Sequence, residues 1–294
     1  MLRFENRVQK LLEGAVDLHV HSGPDIFPRI VNDIDAAQMA KEQGMRAIYI
    51  KSQIDITCER ATIATQQTGF PVFGGVCLNY YVGGLSLLTV EAALLLGAKQ
   101  IYLPTLHAHQ WVSSPLKTAH LSWVLKEGMK GIYMLKEDGT LKDELYPIFK
   151  KIAEYDVILG TGHIGVAEAK VVVREAAKAG VKKILVTHPL STWVNYTVPD
   201  LKELLDTGAT FLEHTYCSTT RQVSSTITPK FIADTIRAIG AKHTVLTTDA
   251  GQWLNPVPVQ QMGIYIRDML DNGISEADIR LMIATNPAKM LGLE

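Results

Sequence analysis

The sequence predicts an α/β chain, a closed (β/α)8 or TIM barrel with an insertion after its fourth strand. Three observations predict it. Eight short, almost continuously apolar, β-rich runs recur along 294 residues, as parallel strands covered on both faces require. Stretches of helical period separate them. Five junctions repeat one pattern, helix then glycine then strand: "KEQGMRAIYI", "LLLGAKQIYL", "AAKAGVKKILV", "LLDTGATFL" and "RAIGAKHTVL".

In order, the strand runs are Ala15–His21, Met45–Lys51, Pro71–Leu78, Lys99–Pro104, Asp156–His163, Lys183–His188, Ala209–His214 and His243–Asp249. Helical patterns occupy Asp33–Gln43, Leu85–Leu96, Val166–Ala179, Asp200–Asp206 and Pro229–Ile239, and two more helices follow Pro256. Gly44, Gly69, Gly97, Gly180, Gly208 and Gly240 restart the chain toward the next strand. An open doubly wound sheet would need a glycine-rich phosphate fingerprint after the first strand, and "HVHSGPD" is not one. Strand starts at 15, 45, 71, 99, 156, 183, 209 and 243 leave one interval far longer than the others, between the fourth and fifth. The excess, residues 106–139, leaves from the carboxyl end of the fourth strand. It is expected to project over the barrel mouth as a lid or an oligomer contact, with a helix over Pro115–Glu127. The expectation is one domain over residues 1–294.

Composition narrows the function. Apolar residues make up 47% and charged residues 20%, the balance of a packed globular chain. Lys+Arg 29 against Asp+Glu 30 leaves a net charge of -1, which advertises neither nucleic acid nor an anionic membrane. No apolar run approaches the roughly 18 to 20 residues that span a bilayer. Three scattered cysteines argue against a disulfide framework or a cysteine zinc site. A reduced, soluble, cytoplasmic protein with a small-molecule substrate is expected, and homo-oligomerisation with it.

Functional residues of such barrels cluster at the carboxyl ends of strands. His19 and His21 end the first strand, His163 the fifth, His188 the sixth, His214 the seventh and Asp249 the eighth; His107 and His109 open the insertion. In "VDLHVHSG", residues two apart point to the same side, so Asp17, His19 and His21 share a face. Imidazoles about 7 Å apart along a strand can converge on one ion. An isolated His-x-His more often marks packed core histidines, but His163, His188 and Asp249 close the ring here. Asp17 reads as a residue that orients an imidazole.

The chain resembles the amidohydrolase superfamily of metal-dependent barrel hydrolases along its whole length. The motifs that carry the resemblance are "DLHVH", "TGH", "THP", "TTDAG" and the terminal "TNPAKMLGL". The resemblance implies that His19, His21, His163 and Asp249 hold a first metal, and that His188 binds a second ion or polarises the substrate. Binuclear members carry a bridging Lys or Glu at the end of the fourth strand, where this chain has Pro104 and Thr105. Three options follow: a mononuclear site, a bridge from Lys51 at the end of the second strand, or entry of His107 or His109. One ion is favoured over two, with Lys51 as a cation for a substrate carboxylate or phosphate.

Nitrogen-rich ligation suits Zn2+ first, with Mn2+, Fe2+ or Ni2+ also accommodated. The expected activity is attack of a metal-activated water on a C–N or C–O bond of an amide, cyclic amide or lactone. Asp249 and His188 are the expected catalytic pair: Asp249 would move the proton and His188 would stabilise the oxyanion. Arg60, His107 and Trp253 join Lys51 as candidate substrate contacts. Two rival readings keep the scaffold: a metal-dependent decarboxylase or hydratase, and a non-catalytic metal- or ligand-binding barrel. Glu213 and His214 are neighbours on a strand, so only one can face inward, and parity does not choose.

Overall fold

The structure, a computed structural model, describes residues 4–117, 119–221, 223 and 226–293. Every predicted strand run holds a strand. Among the described residues these are β1 Val16–Val20, β2 Ala47–Ile50, β3 Val72–Phe73, β4 Gly75–Cys77, β5 Gln100–Tyr102, β6 Ile158–Gly160, β7 Ile184–Val186, β8 Phe211–Thr215 and β9 Thr244–Thr247. The third run is broken into β3 and β4 at Gly74. A Cβ there would lie 2.6 Å from the Thr57 carbonyl, a backbone approach that only glycine permits. The pairings from β1 to β3 and from β4 to β8 are all parallel. The α/β class is therefore as the sequence predicts. All six predicted restart glycines have positive φ.

The chain divides into two compact units, one of residues 1–52, 57–74 and 214–294, the other of 53–56 and 75–213. In the first, β1, β2 and β3 pair in order, with Val16 opposite Ala47 and Ile48 opposite Val72. Beyond β9, Ala250 bridges in parallel to Val20 of β1, and Lys51 N donates to Val20 O. All five residues of β1 and all four of β2 are buried, so the sheet is covered on both faces. Its helices include α1 Asn6–Leu12, α2 Asp33–Glu42, α3 Cys58–Thr68, α9 Pro229–Ile239 and α10 Pro258–Asp271. Asn32 caps α2 by accepting from Asp35 N, and Thr228 caps α9 by accepting from Phe231 N.

In the second unit, β4 to β7 and the start of β8 pair in order, with Val76 opposite Ile101, Ile101 opposite Leu159, Leu159 opposite Ile184 and Leu185 opposite Phe211. Helices α4 Leu87–Leu95, α6 Leu145–Glu154, α7 Val166–Lys178 and α8 Val198–Thr207 belong to it. Thr197 and Asp200 form a reciprocal capping box at the start of α8. The insertion contains α5 His109–Ser113, and in place of the expected helix Pro115–Glu127 a short 3-10 turn over Ala119–Val124. Thr118, within that expected helix, lies outside the described residues. Leu116 and Trp123 are largely exposed and Val124 is buried, so the apolar positions do not line up on one covered face. Among the described residues no helix is long and apolar enough to cross a membrane.

Candidate metal centre

Parallel neighbours carry their carboxyl ends to the same side of a sheet. In the first unit this gathers His19 and His21 of the β1 end, Lys51 after β2, and Asp249 after β9. One ligand atom from each of His19, His21 and Asp249 lies within 4.8 Å of the other two, and all three residues are buried. The Nε2 atoms of His19 and His21 stand 3.1 and 3.2 Å from Asp249 Oδ1. Burial, reinforced by the positive charges of Lys51 and Arg29, lowers the His19 pKa to about 3 against the opposing pull of Asp249. His21 is pushed well below its ordinary value by burial first, then Arg29 and Lys51. Both rings are therefore neutral at pH 7, the form that ligates metals.

Lys51 Nζ lies 3.0 Å from His19 Nε2; an ammonium only donates, so Nε2 accepts and the ring proton sits on Nδ1. Two acceptors, His19 Nε2 and Asp249 Oδ1, then face each other at 3.1 Å, an arrangement that a shared positive charge stabilises. On the far edge of His21, Arg29 Nη2 sits 3.3 Å from Nδ1. A guanidinium only donates, so Nδ1 accepts and Nε2 carries the ring proton facing Asp249. Arg29 is itself anchored by Asp25 at 2.7 Å.

The turn that presents Asp249 is built for the purpose. Asp249 has φ +50, a left-handed conformation that is uncommon outside glycine and clusters at functional positions. Asp17 holds the preceding residue: its carboxylate accepts from Thr248 N at 3.0 Å and Thr248 Oγ1 at 2.5 Å, and also from His19 N at 3.2 Å. Those bonds place Asp17 on backbone and threonine donors, a latch between β1 and the Asp249 turn. At Gly251 a Cβ would fall 1.8 Å from His21 O, so only glycine lets the turn lie against β1.

The other predicted residues fall as follows. Arg60 is engaged by Asp33, through Nε to Oδ2 at 2.8 Å and Nη2 to Oδ1 at 2.9 Å, and it also donates to Ser22 O. Ser22 Oγ adds a 2.5 Å bond to the same carboxylate, so Arg60 fixes the chain just past His21. Trp253 lies after β9 and is 55% exposed. Cys58, Cys77 and Cys217 are buried thiols. Burial raises Cys58 to about 12 and Cys217 well above its ordinary value, which leaves both unreactive.

His163, His188 and His107 belong to the second unit. The rings of His163 and His188 lie 4.8 Å apart between centroids, both against Trp193. His188 also has positive φ, +26, and its N–H donates to Glu213 Oε2 at 3.2 Å. Glu213 and His214 are both buried. His107 is buried beneath the edges of Tyr80 and Tyr81, at 5.0 and 5.1 Å between centroids. Its position depends on Asn79, whose Oδ1 accepts from Thr105 N and His107 N while Nδ2 donates to Gln53 O and Thr105 Oγ1. Thr105 Oγ1 in turn donates to Gln53 Oε1. Asn79→Ala leaves several buried groups without partners and should cost on the order of 3 kcal/mol in urea denaturation. A loss below about 1 kcal/mol would contradict this role. Sequence reasoning missed Trp193 and Thr248; the one available signal was their position a few residues past a strand end.

The chain is similar over nearly its full length to several solved structures. An amidohydrolase from Pseudomonas aeruginosa aligns at 12% identity and TM-score 0.62, covering 97% of this chain and 98% of that one. The probable dipeptidase PvdM from Pseudomonas aeruginosa aligns at 9% identity and TM-score 0.64, covering 98% of each chain. An organophosphorus hydrolase from Deinococcus radiodurans aligns at 13% identity and TM-score 0.58, covering 97% and 94%. No curated protein matches the chain in sequence. The fold is the one these structures share. The profile of the family of unknown function DUF6282 matches residues 14–212, and the chain belongs to that family.

Proposed function

We propose that this protein is a metal-dependent hydrolase of small molecules, acting on a C–N or C–O bond with one divalent ion held by His19, His21 and Asp249. The observation that carries the proposal is the convergence of those three buried ligand atoms within 4.8 Å. The donor set fits the ion: two neutral imidazoles and one carboxylate suit Zn2+, with Mn2+, Fe2+ or Ni2+ next. When bound, such an ion supplies Lewis-acid activation of water and of the scissile carbonyl.

The residues themselves supply the rest. Asp249 takes the proton of the attacking water and passes it to the leaving group. Lys51 binds a substrate carboxylate or phosphate. Ligation through His21 Nε2 needs the ring proton on Nδ1, so Arg29 gives up its bond to that nitrogen. The finer architecture belongs to the same proposal: the strands close as an eight-stranded barrel in one domain, residues 106–139 cover its mouth, and His163 and His188 join the site there. Support comes from the order of the strands and the full-length likeness to barrel hydrolases. The buried Lys51 beside His19 also favours a lyase on this scaffold, either a decarboxylase, which release of carbon dioxide would identify, or a hydratase, which addition or loss of water without carbon dioxide would identify.

Elemental analysis should find about one ion per chain, and His19→Asn or His21→Asn should lower its affinity by about 10-fold or more. Chelator-stripped protein should lose about 2.7 kcal/mol relative to protein held at 100 times the dissociation constant. Reconstitution with each of the four metals should restore hydrolysis within a panel of esters, lactones, cyclic amides and dipeptides. Purified protein that neither retains nor takes up an ion would refute the proposal.

A further inference from the structure

Lys51 stands at the carboxyl end of β2, and its backbone is tied to β1, where its N–H donates to Val20 O at 2.8 Å. The residue is only 2% exposed, so its ammonium must find partners inside the protein. It reaches the ligand group: Nζ lies 3.0 Å from His19 Nε2. That same nitrogen faces Asp249 Oδ1 at 3.1 Å. A neutral imidazole has one lone pair in the ring plane, on its unprotonated nitrogen. With the ring proton on Nδ1, that lone pair is on Nε2, and a divalent ion held between His19 and Asp249 would use it. One lone pair serves one partner, so the ammonium and an ion exclude each other there. The charges agree. Lys51 balances Asp249 inside the buried cluster, whereas an ion seated beside the ammonium would set like charges together away from water.

We infer that Lys51 is a resident counter-cation, seated on the His19 lone pair in the ion-free protein and obliged to leave it before His19 can ligate. The inference rests on the metal-dependent hydrolase reading and concerns how that site is loaded. Loading is an exchange of cations, in which His19 and Asp249 keep a positive charge between them throughout. The exchange lowers the affinity of the wild-type protein for its ion. If the ammonium holds His19 in all but about a tenth of the molecules, the apparent dissociation constant is raised about 10-fold.

The test uses the full-length protein and zinc, with affinity read by competition against a chromogenic chelator. Lys51→Met keeps a buried apolar stem and removes the ammonium, and it should bind zinc about 10-fold or more tightly than wild type. The same change made on His19→Asn should give a gain of about 2-fold or less, since asparagine does not extend to the position of Nε2. An equal gain in both backgrounds would mark a simple charge effect and overturn the inference. Unchanged affinity in Lys51→Met would overturn it too, as would a lower affinity, which would make Lys51 a ligand or an aid to ligation. A crystal structure of the wild type with zinc supplies a measurement that needs no variant. Lys51 Nζ should there lie beyond hydrogen-bond reach of His19 Nε2, and a retained 3.0 Å contact would sink the idea. The two readings fail differently. Wild type that binds zinc as tightly as Lys51→Met removes this inference alone. If neither protein takes up zinc, the metal-dependent reading falls and this inference falls with it. Uptake by Lys51→Met alone supports the inference and removes the hydrolase reading from the wild type.

Discussion

Asp249→Asn should lower turnover by about 10^3-fold or more, and strip the bound ion, in a protein that still folds. The carboxylate is the only anionic member of the ligand group and the only one able to move a proton to a leaving group at neutral pH. An amide keeps its shape and loses both properties. The fold is spared because asparagine tolerates the left-handed conformation that residue 249 adopts at φ +50. The Asp17 latch acts on Thr248 and is untouched by the change. Turnover of the substrate found in the panel, metal content and thermal midpoint form the measurement. Wild-type rates with a full complement of metal would end the assignment of Asp249.

The second large effect is acid lability. Burial lowers His214 to about 4 and His107 to about 4, against an ordinary value of 6.5. Below pH 6.5 the unfolded chain takes up protons that these two folded residues refuse. Stability is therefore complete above about 6.5 and is lost as pH falls from there toward about 4. Each residue contributes a slope of about 1.36 kcal/mol per pH unit, and together they remove on the order of 5 kcal/mol, comparable to the whole stability of many domains. Urea denaturation of chelator-treated protein at pH 7, 6, 5 and 4.5 reads the slope. His214→Leu should reduce it by the share of one proton while changing stability at pH 7 little, since neither ring nitrogen of His214 has a hydrogen-bond partner among the described residues. A flat profile, or a His214→Leu slope equal to wild type, would refute this account.

The repeating units were readable because their signals are local. A buried parallel strand is a continuous apolar run, and a glycine closes each helix, so the eight strand positions and the helix Pro229–Ile239 emerge from windows of about ten residues. The gathering of His19, His21 and Asp249 was readable for the same reason, since strand ends can be located and side-chain parity on a strand is fixed. What stayed hidden depends on partners far away in sequence. Arg60 looks like a loop arginine until Asp33 is found to hold it, and nothing local to Asp17 shows that it also accepts from Thr248. The helix expected at Pro115–Glu127 failed because periodicity records an apolar stripe without recording whether anything covers it.

Thr248 meets Asp17 across 231 residues of chain. Both imidazoles of the triad therefore leave the ribosome long before their carboxylate has been synthesised. On the proposed metal role, a partly translated polypeptide carries two of the three ligands, and the set is complete only once Asp249 has joined them beside β1. Metallation would then report completed folding.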